Sequence, residues 1–449
     1  MNATRKQFYR KLSKTVKHRF NKEISGKIEG KKEGWRIVNI WGEPYDRGYA
    51  HGFLLKRELD EVFRVFPFVV KRELQTPFSE YVRTSNQMIY PVVKASFPEY
   101  YEEILGIVAG YKKAGGTKSI TVKRLIAWNA YMSLFSLYHQ GGSERCSAFI
   151  ATGSATKSGE IIMGHNTHSD FVSGSLFNII LKVTPPEGSG HAFRMQTAAG
   201  LISSIVDWFV CANGIIGCES TISAINYSPE FGYPSFCRIR QVMQYADSLD
   251  KAVEIMLDHN SGDYACSWLF GDIRTGEIMR FELGQKYHNS ERTTNGFFYG
   301  MNSAVDYNIR NLETNDTNNT DIATSSGSRS YRLHHLLTAQ KIDEQYGKEI
   351  LSDHYDEYLN EYKRSSRGIC RHTELDGTHT GKREGFYPFG TLDGKIVTSA
   401  LAKEMAFLGR WGSSCGRIFH PQTFIKENPE YKDFSDYLPE FPKNRWTPL

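Results

Sequence analysis

The spacing of apolar residues changes once along the chain. A short alternating run, Trp35-Arg36-Ile37-Val38-Asn39-Ile40, predicts a strand that ends at the turn Gly42-Glu43-Pro44. Apolar residues then recur at helical spacing over 46–74, over the aromatic-rich stretch 78–115, and over 125–138, which reads as a buried helix. After residue 145 the period falls to two. Cys146-Ser147-Ala148-Phe149-Ile150-Ala151 predicts a strand, 152–159 a polar loop and 160–164 a return strand, the pattern of an antiparallel hairpin. Further strands are expected over 177–184, 191–197, 203–211 and 214–224, separated by Pro185-Pro186, Gly188-Ser189-Gly190 and Asn213-Gly214. Helices over 235–246 and 249–259 precede strands over 267–272 and 277–283, and a polar loop over 315–327 leads into a helix over 328–342.

A mainly helical stretch followed by strands and then helices predicts an α+β protein of stacked antiparallel sheets covered by helices. The shift in period divides the chain into a basic tail over 1–34, a mainly helical N-terminal segment over 35–145 and a core over 146–449. With 449 residues there is ample capacity for a core, and 23% charged against 40% hydrophobic residues is ordinary for a globular chain.

Net charge is +5, but residues 1–34 hold 11 Lys/Arg against 3 Glu, or +8, which leaves −3 for the rest. The basic balance therefore belongs to the tail, a candidate contact for an anionic membrane surface, and nucleic-acid binding by the body is not expected. The longest apolar stretch, 125–138, is too short and too polar to span a bilayer. No apolar segment with a small-residue cleavage site follows Met1, so the visible residues read as cytoplasmic, or as secreted or lysosome-like if a leader has been removed. The seven cysteines (146, 211, 218, 237, 266, 370, 415) show no CxxC and no Cys/His grouping at metal-ligand spacing, so neither a metal nor a cofactor is expected. Their odd number leaves at least one free thiol, for which Cys146 is the candidate.

The hairpin carries the candidate chemistry. Folded about 152–159, it is expected to set Cys146 opposite His165 with Asn166 alongside, a thiol beside an imidazole and an amide. The plain alternative is a small core cysteine at the start of a strand. Scission between Arg145 and Cys146 would place a free α-amine, of pKa ~7.7–8, on the nucleophilic residue itself, and an amine can act as general base where an amide nitrogen cannot.

These pieces, taken in order with Asn213-Gly214-Ile215-Ile216, Glu219-Ser220-Thr221-Ile222, Asn260-Ser261-Gly262-Asp263-Tyr264, Met301-Asn302-Ser303 and Ser328-Arg329-Ser330-Tyr331-Arg332, resemble the N-terminal nucleophile hydrolases. The nearest likeness is to phospholipase B-like proteins and the penicillin acyltransferase and choloylglycine hydrolase groups. The resemblance implies a four-layer αββα sandwich and self-cleavage at Arg145-Cys146 into two fragments that stay associated. It also implies Cys146 as nucleophile through a thioester, and a small acyl-amide, acyl-ester or lipid-like substrate. Asn302 matches a family asparagine near the reacting carbonyl, and Arg332 the arginine that lies beside the nucleophile and lowers its pKa, with Arg329 as its neighbour. Glu219 and Thr221 fall on the strand where relatives place an oxyanion donor.

Two departures follow from the same comparison. His168 stands where the acyltransferases and choloylglycine hydrolases have an aspartate, which leaves Asp170 or His165 to orient the amine. His165 replaces an arginine of the choloylglycine hydrolases, which argues against bile-salt specificity. Trp208, Phe209, Phe297 and Phe298 are candidates to line an acyl pocket. Transfer of the acyl group to an amine, and a catalytically silent binding protein, are the alternative functions.

Overall fold

Two sheets lie face to face with helices on both outer sides, in four layers. In this computed structural model the described residues are 24–138, 145–223, 225–226, 232–260, 262–316, 320–376 and 388–449; the basic residues 5–22 and the approach 139–144 lie outside them. The first sheet has nine strands in the order Gly26–Lys32, Trp35–Trp41, Ile179–Thr184, Phe193–Thr197, Phe209–Cys211, Ile215–Thr221, Cys266–Asp272, Glu277–Leu283 and His288–Thr293. The second has six, ordered Gly296–Gly300, Cys146–Thr152, Ile162–Asp170, Phe389–Thr398, Leu408–Trp411 and Thr447–Pro448. Alternation along the strands separates two cores. Ala148, Ile150 and Met163 point into the large core between the sheets. Phe149, Ala151 and Ile162 point the other way, into a smaller cluster with Leu333, Leu337 and Ile350 from the helices Ser325–Ala339 and Glu344–Leu351.

The N-terminal segment is built into this body. Trp35–Trp41 pairs with Ile179–Thr184, and this is the one parallel pairing in a sheet expected to be antiparallel throughout. It is parallel because residues 42–178 form a long crossover that includes a whole hairpin of the other sheet. Gly26–Lys32, expected in the basic tail, forms the edge strand against Trp35–Trp41.

The long helical stretches divide where prolines seat first turns. The expected 78–115 becomes Phe78–Met88, Tyr90–Ser96 and Pro98–Lys113, with Pro91 and Pro98 at the new starts. The expected 46–74 becomes Pro44–Leu54 and Lys56–Glu73, separated at the non-helical Leu55. Expected strand 203–211 survives only as Phe209–Cys211. That shortening matters. Phe209 pairs with Gly217 and Val210 with Ile216, so among the described residues the second half of Ile215–Thr221 has no strand neighbour on that side. The loop between Thr197 and Phe209 covers the opening.

Helices Pro44–Leu54 and Pro98–Lys113 touch backbone to backbone. Cβ atoms at Gly48, Gly52 and Gly110 would each lie 2.0 Å from a carbonyl oxygen of the facing helix, those of Glu103, Ile107 and Tyr49. The same interface buries charge: Arg47 Nε meets Glu103 Oε2 at 2.6 Å, and Arg240 Nη2 meets it at 2.9 Å from the helix Ser235–Tyr245. Burial alone would raise the Glu103 carboxyl, but the Arg240 and Arg47 guanidiniums hold it below the usual range. Among the described residues no helix is long and apolar enough to cross a membrane.

Gly52→Ala should drive its methyl group into the Ile107 carbonyl, and neither backbone can step aside without parting the helices. The expected loss is about 1–3 kcal/mol, read as a lower urea midpoint with an unchanged slope.

Candidate active site

Cys146 opens the strand Cys146–Thr152 and is buried between the sheets. Its ladder partner is Thr167; His165 lies opposite Ala148 and Asn166 opposite Ser147. The expected pairing of Cys146 with His165 is therefore corrected by two residues. A shift of two preserves the face, so Cys146, His165 and Thr167 all point toward the first sheet, whereas Ser147, Asn166 and His168 point to the helical side.

On the first-sheet side, Cys146 Sγ lies 4.0 Å from Glu219 Oε1. Tyr264 donates its hydroxyl hydrogen to the same Glu219 oxygen at 3.1 Å, and Thr221 Oγ1 sits 2.7 Å from the Tyr264 oxygen. His165 Nε2 is 3.1 Å from the Glu219 carbonyl oxygen, which can only accept, so that nitrogen carries the proton. Burial holds His165 neutral, with the Lys395 charge acting in the same direction. The imidazole thus fixes the backbone of Glu219 instead of meeting the thiol. Lys395, one strand over, donates to Thr167 Oγ1 at 2.7 Å and is ion-paired with Asp393.

Glu219 stands beside the opening left by the short strand Phe209–Cys211. Next to it lies a small cavity of about 30 Å³ whose lining includes Ser203, Asp207, Phe236, Ile239, Tyr264 and Trp268. Among the described residues, Glu219 Oε2, Ser203 Oγ and Trp268 Nε1 are buried without a hydrogen-bond partner, so this corner has unused polar capacity. Burial raises the Glu219 carboxyl to about 7. It raises Asp207 as well, with the Glu219 charge adding to the effect. Asp207 also has a left-handed backbone, at φ 48°.

On the other side of the strand the organising group is Arg329. It is fully buried in the helix Ser325–Ala339 and donates through Nη1 to the Cys146 carbonyl and to Ser147 Oγ, both at 3.0 Å, and through Nη2 to Asn302 Oδ1 at 2.9 Å. Asn302 donates from Nδ2 to the Thr221 carbonyl at 2.8 Å, and its own N–H donates to Ser220 Oγ at 2.9 Å. Ser220 in turn donates to the Cys146 carbonyl at 3.4 Å. Asn302 has a left-handed backbone, φ 80°, at a fully buried site.

Several expectations are corrected here. Arg332 is not beside Cys146: its guanidinium forks onto Asp353 at 2.9 and 2.7 Å, and it is Arg329 that reaches Cys146, at its carbonyl and on the face away from the sulfur. The thiol is not activated in the uncut chain. Burial raises its pKa well above the ordinary range and the Glu219 charge adds to this, outweighing the His168 N–H and Lys395. Asn166 and His168 serve the outer loops: Asn166 Nδ2 donates to the carbonyls of Leu351 and Ile369 at 2.8 and 3.0 Å, and His168 Nε2 to that of Ile369 at 3.2 Å. Asp170 caps the short helix Phe171–Gly174 by accepting from Ser173 N at 2.6 Å, and burial, reinforced by Glu73, raises its carboxyl to about 7.

Of the four aromatics proposed to line a pocket, Trp208 lies near His165 and Lys395, Phe209 sits in the core, and Phe297 and Phe298 lie on the edge strand. Arg145 is pinned before the candidate scissile bond. Its Nη2 meets Glu73 Oε1 at 3.1 Å, its Nη1 donates to Ser169 Oγ at 3.2 Å, and its carbonyl accepts the His168 N–H. The absence of a Cys/His grouping is also overturned, since His354, Cys370, His372 and Cys415 converge on one point.

No family model matches the chain. An uncharacterized protein of Archaeoglobus fulgidus is 24% identical over 270 residues, 56% of this chain and 43% of its own length. Protein dcd1A of Dictyostelium discoideum is 22% identical over 264 residues, 52% of this chain and 55% of its own. The chain thus spans about half the length of the curated relatives it matches. Among solved structures, a mutant conjugated bile acid hydrolase from Clostridium perfringens is similar at a TM-score of 0.36 and 12% identity, covering 59% of this chain and 89% of that one. A second variant of that hydrolase gives 0.28 and 10%, covering 60% and 81%.

Glu219 supplies a sign-definite test. Its folded carboxyl, raised to about 7 from an ordinary 4.5, keeps a proton that the unfolded chain has already released. The stability that the Glu219 proton contributes is therefore lost as pH rises across that window, and this contribution is flat above it. In a Cys146→Ala background, Glu219→Gln should gain steadily on its parent as pH rises from about 4.5 to 7, measured by urea unfolding at stepped pH.

Proposed function

We propose that this chain is a self-processing cysteine N-terminal nucleophile hydrolase that cuts a small acyl amide. One observation carries the reading. The first residue of a central strand is a cysteine whose carbonyl is held by Arg329 and Ser220 while its sulfur faces the Glu219 carboxylate beside a small cavity with unpaired polar atoms.

Processing would begin with Cys146 Sγ attacking the Arg145 carbonyl carbon as its proton passes to Glu219. The His168 N–H, already bonded to that carbonyl oxygen, would stabilise the oxyanion. The Arg145–Cys146 C–N bond would then break, the departing nitrogen would take a proton, and the acyl group would rest on sulfur as a thioester. Water would release the Arg145 carboxylate and restore the thiol. The new α-amine would then serve as general base for the same sulfur when it attacks substrate. Asn302, locked between Arg329 and the Thr221 carbonyl, would present its amide to the substrate oxyanion after a change of partner.

An amide is the favoured substrate because the cavity, although lined mainly by apolar side chains, is small and carries the unpartnered polar atoms of Ser203 and Trp268 beside Glu219. A lipid-like ester would need an apolar channel, and Phe297 and Phe298 stand apart on the edge strand. Acyl transfer to an amine would use the same thioester, and most of the tail expected to meet a membrane, residues 1–23, lies outside those described.

Intact-mass analysis of purified protein after prolonged incubation should show two fragments, the larger beginning Cys146-Ser147-Ala148, whereas Cys146→Ala should stay whole. An unbroken wild-type chain with amidase activity would sink the reading. Asn302→Gly suits the left-handed backbone while deleting the amide. It should still be cleaved, yet turn over acyl amides about 10²–10³-fold more slowly, as read from kcat.

A further inference from the structure

The chain carries a second constellation on the helical side of the return strand Ile162–Asp170. His354 follows the helix Glu344–Leu351, Cys370 and His372 precede the turn Thr373–Asp376, and Cys415 sits in the loop after Leu408–Trp411. One ligand atom from each of the four lies within 4.8 Å of all the others. Cys370 Sγ is 3.5 Å and Cys415 Sγ 3.4 Å from His372 Nε2. A tetrahedral zinc ion with bonds of about 2.3 Å to sulfur and 2.0–2.1 Å to nitrogen would set such sulfur–nitrogen edges at roughly 3.5 Å.

Two further observations point to an ion. His354 Nε2 is buried and has no hydrogen-bond partner among the described residues, a cost that a metal would remove. His372 Nδ1 lies 2.9 Å from Glu374 Oε1, the carboxylate–imidazole arrangement that orients metal-bound histidines. We propose that His354, Cys370, His372 and Cys415 form a closed, structural zinc site. With four protein ligands no position is left for a reacting water, so its role is to hold structure. Two thiolates and two imidazoles in tetrahedral array favour zinc over the hard cations.

What it holds is specific. The Ile369 carbonyl, one residue before Cys370, is the acceptor for both Asn166 and His168. Ser414, one residue before Cys415, donates to Asn166 Oδ1 at 2.5 Å. Asp353, one residue before His354, binds Arg332 and accepts the Cys370 N–H at 3.0 Å. The ion would thus clamp three loop segments onto the back of the strand whose front carries His165 and Thr167. This inference does not depend on the proposed reaction.

The test is metal analysis of the full-length protein, purified without chelators or a metal-affinity column. Elemental mass spectrometry should find about one zinc per chain. Chelation should lower the thermal midpoint and zinc should restore it. Cobalt added to the stripped protein should give the visible bands of tetrahedral coordination and a near-ultraviolet thiolate charge-transfer band. Glu374→Gln, which alters the partner on the outer side of His372 and no ligand, should still fold and should bind zinc about 10–100-fold more weakly. Three results would overturn the proposal: zinc absent from the native protein with no tetrahedral cobalt spectrum, iron in place of zinc, or an intact mass showing that Cys370 and Cys415 form a disulfide. The wild-type measurements decide the matter even if Cys415→Ser fails to fold.

Discussion

A guanidinium removed from water is tolerable only where the protein supplies acceptors at fixed places. Arg329 is such a group, and the candidate site is arranged around it. Its acceptors come from the strand that begins at Cys146, from Asn302 beyond the edge strand Gly296–Gly300, and from Ser325 in its own helix. Because the guanidinium is flat and rigid, meeting all of them fixes the distances among the three segments. The left-handed backbone of Asn302, worth about 1–3 kcal/mol of strain at a non-glycine residue, survives because Arg329 holds its side chain while Ser220 and Ser223 hold its main chain.

The return strand couples this site to the Cys/His cluster through ordinary alternation. Odd-numbered His165 and Thr167 face Glu219 and Lys395, and even-numbered Asn166 and His168 face the loops around Ile369 and Ser414. A strand cannot move one face without the other. Anything that secures the outer loops therefore restricts the positions open to His165 and, through it, to the Glu219 backbone.

Much of this was legible in the residues because it is local. The hairpin, the strand leading to Glu219 and the helix carrying Arg329 all follow from period and turn chemistry. The register slipped by two residues because a loop over 152–159 does not fix how much of its length is turn; Gly153–Ala155 is a short 3₁₀ turn that changes the count. Phe389–Thr398, which pairs with the return strand, does not show as a strand in the residues because Asp393-Gly394 signals a turn in its middle, and this hides Lys395 as well. Arg329 and Arg332 are three apart, on neighbouring positions of one helix face, so spacing could not decide which reaches Cys146. Asp207 joins Glu219 only because Phe209–Cys211 stops short, Tyr264 reaches it from just before the neighbouring strand Cys266–Asp272, and His354 joins Cys370 and Cys415 only across loops distant in sequence.

The electrostatics of the uncut chain bear on the order of events in the proposed reaction. Burial and the neighbouring Glu219 carboxylate keep the Cys146 thiol protonated, and the nearby cation Lys395 is already paired with Asp393. The sulfur is therefore a poor nucleophile toward anything that must first diffuse in, whereas the Arg145 carbonyl is covalently attached and already polarised by the His168 N–H. Proximity of that kind compensates for weak nucleophilicity in a single intramolecular event. Scission would then remove the constraint, since the peptide nitrogen of Cys146 becomes an amine that accepts the thiol proton directly. On this argument Glu219, with a carboxyl raised to about 7, is suited to the first proton transfer, and the amine replaces it for the later ones.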